Sequence, residues 1–109
     1  MVLNFQHSID YKEISSTTDA TTLTFTLNCT VGRILWTGVS ATTTGCTLNI
    51  TNNRVGLGSV VIVNATGTNA VVGAVVVAEG SFTVVVGGRA ALTIVSPAIN
   101  FFVLNPVSF

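Results

Sequence analysis

His7, Ser8 and Asp10 are the residue types of a hydrolytic triad, and they stand within four positions of one another near the start of the chain. A triad works when a rigid fold gathers a nucleophile, an imidazole and a buried acid from separate places. Three such side chains crowded onto one short segment are read instead as part of a solvated arm. The carboxylates are Asp10, Glu13, Asp19 and Glu79, and only Glu79 stands clear of the leading segment. A glycosidase sets two carboxyl groups across its substrate, so that chemistry lacks a second member. Gly56 and Gly58 hint at a phosphate loop, but no Gly-Lys-Ser/Thr follows and no helix is indicated. With one histidine, His7, and two cysteines, Cys29 and Cys46, a single chain cannot assemble a zinc set. No catalytic residue, metal or cofactor is expected, and the chain is read as a non-enzyme.

The two cysteines are too few for a disulfide framework and form no Cys-x-x-Cys pair. They are either reduced thiols packed as small apolar residues or one cross-strand disulfide. Asn28-Cys29-Thr30, Asn49-Ile50-Thr51 and Asn64-Ala65-Thr66 match the glycosylation pattern. An Asn- and Thr-rich chain produces such triplets by chance, and the N-terminus lacks the basic start and apolar run of a signal peptide. The protein is therefore expected to be made and used without Sec export. Arg33, Arg54 and Arg89 are more informative. Lone cations on a neutral surface suit bidentate pairing with carboxylates of another subunit, or else stand exposed with little energetic weight. Trp36, Tyr11 and the phenylalanines offer a carbohydrate platform, although a tryptophan on an alternating strand is more simply core.

Charged residues are 7% of the chain and the formal net charge is zero, against about 25% charged residues in an average soluble domain. Nucleic acid is not an expected partner, because phosphate binding draws on clustered cations and Lys12, Arg33, Arg54 and Arg89 are scattered. Val55 to Ala78 is uncharged, yet Ser59, Asn64, Thr66, Thr68 and Asn69 interrupt it. A bilayer helix needs about 20 mainly apolar residues, so no membrane is expected either. Almost no charge keeps copies of this chain apart. Its surface is expected to be covered by other subunits or built of Thr, Ser and Asn.

The elements that must position these residues are strands. Thr22 to Cys29 alternates polar and apolar, sending Leu23, Phe25, Leu27 and Cys29 to a core. Val31-Gly32 reads as a turn, Arg33 to Val39 as the next strand, and Cys46 to Thr51 as another, closed by Asn52-Asn53. Ser59 to Asn64 is apolar throughout and is expected to be central. Ala65 to Asn69 has the composition of a loop tip. Val71 to Val86, broken at Glu79-Gly80-Ser81, reads as the hairpin around which the rest is organised. Leu92 to Val95, a break at Pro97, and Ile99 to Leu104 complete the series. About eight antiparallel strands at roughly 10-residue spacing predict an all-β, jelly-roll-like β-sandwich over residues 13–109. Residues 1–12 form a short N-terminal arm that docks on a neighbour through Leu3 and Phe5, or an extra edge strand.

The pieces Ile50-Thr51-Asn52-Asn53-Arg54-Val55, Ser59-Val60-Val61, Glu79-Gly80-Ser81-Phe82-Thr83-Val84, Ala91-Leu92 and Ile99-Asn100-Phe101-Phe102-Val103 follow a lead-in over Ile14 to Thr18. In that order they resemble a β domain of tailed-bacteriophage virion proteins, over about residues 13 to 104. The chain departs from that pattern at loop tips, with a short connection after Val61 and Gly87-Gly88-Arg89 in place of an Asn-rich loop. The resemblance implies a capsid decoration (cement) protein, a homotrimer bound to the major capsid protein on the virion exterior. Its alternative is a head- or tail-fibre tip that contacts host glycans through loops such as Ala65 to Asn69. A domain and a short arm without a shaft suit the decoration protein. Leu3, Phe5, Tyr11, Arg33, Arg54 and Arg89 are the residues expected to make the contacts.

Overall fold

The computed structural model describes residues 10–17, 22–36, 40–41, 46–68, 70–88 and 94–105. Within them the chain forms β1 (Tyr11–Ser16), β2 (Thr22–Thr26), β3 (Val31–Trp36), β4 (Ser40–Ala41), β5 (Cys46–Thr51), β6 (Val60–Thr68), β7 (Ala70–Ala78), β8 (Ser81–Gly88) and β9 (Ile94–Leu104). One sheet runs β1-β3-β9, with β6 on the far side of β9 and the two-residue β4 on the near side; the other runs β2-β5-β8-β7. The expected all-β sandwich is what the chain forms, and successive strands cross repeatedly from one sheet to the other as in a jelly roll.

Alternation sets which side chains fill the space between the sheets. Phe25, Leu48, Ile50, Phe82, Val84 and Val86 come from one sheet and Ile34, Trp36, Ile99, Phe101 and Val103 from the other, all buried. Trp36 is core, 1% exposed. Phe101 on β9 meets Phe82 on β8 edge to face, with ring centroids 5.0 Å apart at 67°. β7 keeps Val72, Val75 and Val77 turned inward across a register shift opposite β8, between Val72 and Val75. That bulge lets one strand follow the twist of its neighbour without losing its face.

Five local expectations change. Val31 and Gly32 are strand rather than turn, paired with Phe102 and Phe101. A Cβ on Gly32 would overlap three atoms of the Phe101 ring, so the glycine is there to admit an aromatic neighbour. Ala65 to Thr68 extend β6 along β9 rather than forming a loop tip, and Asn69 lies outside the described residues. Pro97 does not end a strand; β9 runs through it. The β6 ladder shifts between Thr66 and Thr68, at Gly67 with φ 114°, and the β3 and β4 ladders on the other side stop at Ala98 and Val95. The missing proline N–H thus falls where neither neighbour needs a donor.

The run from Ser59 to Asn64 is not central. Among the described residues β6 pairs only with β9 and β7 only with β8, so each is an edge of its sheet. Finally, β1 lies parallel to β3 and β2 parallel to β5, while the other pairs are antiparallel. β1 and β2 cross from sheet to sheet beside β3 and β5, which make the same crossing in the same direction. Period-two alternation reports faces and carries no information about direction. Residues from Tyr11 are therefore edge strand, and the arm alternative concerns only residues 1–9, outside the described residues.

Gly32→Ala should lower stability by about 1–3 kcal/mol through overpacking, measured by urea unfolding. Combining it with Phe101→Leu, which removes the opposing ring, should cost less than the sum of the two single changes.

Candidate functional site

One end of the sandwich is tied together by polar side chains. Asn52 is fully buried; its Nδ2 donates to the Cys29 carbonyl at 2.7 Å and its Oδ1 accepts from the Arg54 amide at 2.9 Å. Its backbone amide donates to the Gly80 carbonyl at 2.9 Å, and the Gly80 amide donates to the Val55 carbonyl at 2.8 Å. Gly80, at φ 78°, makes the two-residue hairpin turn that presents both groups. Asp10 accepts from the Thr30 amide at 2.8 Å and forms an ion pair with Arg54 at 3.1 Å. Asn105 donates to the Arg54 carbonyl at 2.9 Å and contacts Ser59 Oγ. The network closes the strand ends and offers no nucleophile beside a base.

The expected site residues separate accordingly. Leu3, Phe5 and Arg89 lie outside the described residues, as do His7 and Ser8. Arg54 is spent on Asp10 and on the Asn53 side chain, 3.1 Å away. Tyr11 stands on the outer face of β1, where its hydroxyl donates to Glu13 at 3.0 Å. That bond to a carboxylate raises the Tyr11 pKa above the ordinary phenol value. Arg33 lies on the outer face of β3, half-buried, with no carboxylate within 4.0 Å among the described residues. Cys29 and Cys46 are both buried thiols that form no disulfide, which removes that alternative; burial pushes the Cys29 thiol up. Among the described residues no three His, Cys, Asp or Glu side chains converge as a metal set. Nor is any helix among them long and apolar enough to cross a membrane.

What the sequence reading missed is a surface. Of the eight large exposed hydrophobics among the described residues, all but Tyr11 lie on β6 and β7 or directly beside them: Leu57, Val60, Ile62, Val71, Val76, Val85 and Leu104. Val76 is 61% exposed, Ile62 55% and Val60 54%. Residues 55–78 carry no charge at all. Among the described residues the two edge strands therefore form an uncharged apolar wall with unpaired backbone along both, lacking the Lys or Pro that usually guards such an edge. The opposite wall is different. β1 bears Lys12 and Glu13, and β2 exposes Thr22, Thr24 and Thr26. The second sheet's outer face grades between these extremes along the row Thr24, Asn49, Thr83 and Val76.

On the first sheet the outer face is organised in rows across the strands. Tyr11, Val31, Phe102 and Ile62 form an apolar row; Glu13, Arg33, Asn100 and Asn64 form a polar row beside it. Asn100 donates to Asn64 at 3.0 Å. Between them Val31, Ile62, Asn64, Asn100 and Phe102 line a shallow groove of about 320 Å³. Runs of alternating sequence imply the rows, but only the strand order reveals which residues share one.

Comparison with protein-family models, with curated proteins and with solved structures finds no match for this chain.

Asn52→Ala should cost about 1–3 kcal/mol by stranding the Cys29 carbonyl and the Arg54 amide, read by urea unfolding. The Thr30 hydrogen bond, with Arg54 adding to it, holds the Asp10 carboxyl below its ordinary range despite a burial that acts the other way. A carboxyl whose folded pKa is depressed contributes stability above its unfolded pKa and loses it as pH falls through the folded value. Stability should therefore fall as pH drops below about 4, and Asp10→Asn should flatten that part of the profile.

Proposed function

We propose that this chain is a structural virion protein that works by assembly: a decoration protein that forms a homotrimer and binds the major capsid protein on the head exterior. The observation that carries the reading is the apolar wall of β6 and β7. An exposed, uncharged, unpaired pair of edge strands is an aggregation hazard in a lone subunit and an interface in an assembled one. With 7% charged residues the chain has little else to keep it dispersed. The resemblance of its strand pieces to β domains of tailed-phage virion proteins supplies the setting.

Mechanically this is binding without turnover. A trimer seated on a symmetric shell meets several coat subunits at once, so modest contacts combine through effective concentration. Shell expansion then requires all of them to be broken together. The fibre-tip alternative placed glycan contacts on a loop over residues 65–69; residues 65–68 are strand instead, and that reading becomes an outcome of the experiment below.

Sedimentation velocity should give a trimer. Ile62→Asp or Val76→Asp, each on an exposed position, should leave the fold intact and shift the protein to monomer. Purified protein should co-sediment with phage heads at many copies per particle, whereas a handful of copies with binding on a glycan array would favour the fibre tip. A freely soluble monomer at high concentration, without affinity for any particle, would overturn the proposal.

A further inference from the structure

Among the described residues Arg33 and Glu79, like Lys12 and Glu13, make no ion pair, and the first two stand in telling places. Among the described residues Arg54 is held by Asp10 and Glu13 holds Tyr11. Arg33 makes no ion pair within 4.0 Å among the described residues, although it lies opposite Glu13 in the β1–β3 register and near the Tyr11 hydroxyl, and its Nε is shielded from water without an acceptor. Beside Arg33 lies the groove walled by Val31, Phe102 and Ile62. The socket is thus an apolar trough with a cation one row away, about 7 Å for two residues along a strand.

The matching knob is on the same chain. Leu57, in the turn before β6, is 76% exposed, the highest value among the large exposed hydrophobics described. Directly beside it stands Glu79 at the β7–β8 hairpin tip, whose Oε2 accepts from the Leu57 amide at 3.2 Å. The Glu79 carboxylate has no cation within 4.0 Å among the described residues. A leucine and a carboxylate carried side by side complement an apolar trough and an arginine lying side by side.

We propose that copies of this chain join head to tail, Leu57 of one entering the groove between β3, β9 and β6 of the next while Glu79 pairs with Arg33. Knob and socket are different patches, so the contact is heterologous. Such contacts close into rings, threefold ones included, or run on as filaments, whereas a twofold dimer would need one self-complementary patch. Ile62 belongs both to the groove and to the apolar wall, so the socket is continuous with the surface already assigned to assembly. This inference rests on the self-assembly reading and specifies its contact.

The test is a charge-reversal cycle read by sedimentation equilibrium. Glu79→Arg and Arg33→Glu should each weaken association by about tenfold or more, in keeping with close interfacial charge pairs. The double reversal should recover most of the loss. Leu57→Asn should weaken association similarly, and Glu79→Gln, which keeps an acceptor for the Leu57 amide, should fall between wild type and Glu79→Arg. Leu57 and Glu79 are exposed turn residues, so their variants remain informative even if Arg33→Glu fails to fold. An oligomeric wild type whose association is unmoved by Glu79→Arg and Leu57→Asn would overturn this contact while leaving assembly through β6 and β7 standing. Singles that weaken association without recovery in the double would overturn the Arg33–Glu79 pairing. A monomeric wild type would defeat the assembly reading itself.

Discussion

Phe101 ties the strands of its own sheet to the sheet opposite. Its ring occupies the space that a side chain on Gly32 would need, on the neighbouring strand of its own sheet, and reaches across the interior to meet Phe82 of the opposite sheet. One aromatic thus fixes the β3–β9 register and the face-to-face packing of the two sheets together. β9 is long enough to hold β3 and β4 along one side and β6 along the other, so the register set at Phe101 passes to most of the sheet. The Pro97 gap separates the part of β9 that serves β3 from the part that serves β4.

With the interior fixed, the two walls of the sandwich face different problems. The wall of β1 and β2 is finished with threonine, lysine and glutamate and can meet water. The wall of β6 and β7 exposes Val60, Ile62, Val71 and Val76 together with Asn64 and Thr66 and has no charge between Arg54 and Glu79. Burying such surface against another apolar surface gains roughly 25 cal/mol per Å², and for this chain there is almost no electrostatic repulsion to offset it. The polar clasp around Asn52 and Asp10 holds the Leu57 turn and the Glu79 hairpin in place beside that wall. Stability at that end and presentation of an interaction surface are therefore the work of the same hydrogen bonds.

Much of the interior was legible from the sequence. Leu23, Phe25 and Leu27 alternate with Thr22, Thr24 and Thr26, and the structure turns the first set inward and the second outward because a pleated strand allows nothing else. Gly80 and Trp36 likewise took the roles their types suggest. What escaped was whatever depends on a distant partner. Gly32 reads as a breaker until Phe101 is known to lie opposite it. Asn52 reads as a turn residue, yet its burial is fixed by Cys29 and Gly80, far away in the chain. Arg54 reads as a free cation, and Asp10, 44 residues away, claims it. The run Val60 to Val63 reads as central because apolar residues on both faces look alike whether the second face is covered by this chain or by another. That last ambiguity marks the surface that assembly would use.

The central claim is that β6 and β7 are covered by another copy of the chain, and hydrogen exchange of their backbone amides tests it most directly. Both are edge strands, so among the described residues of one subunit their outward N–H groups have no ladder partner to slow exchange. The account predicts that amides across residues 60–68 and 70–78 exchange slowly in concentrated protein and speed up on dilution as the assembly comes apart, while the β9 amides stay protected throughout. Exchange along β6 and β7 that is fast and the same at every concentration would contradict it.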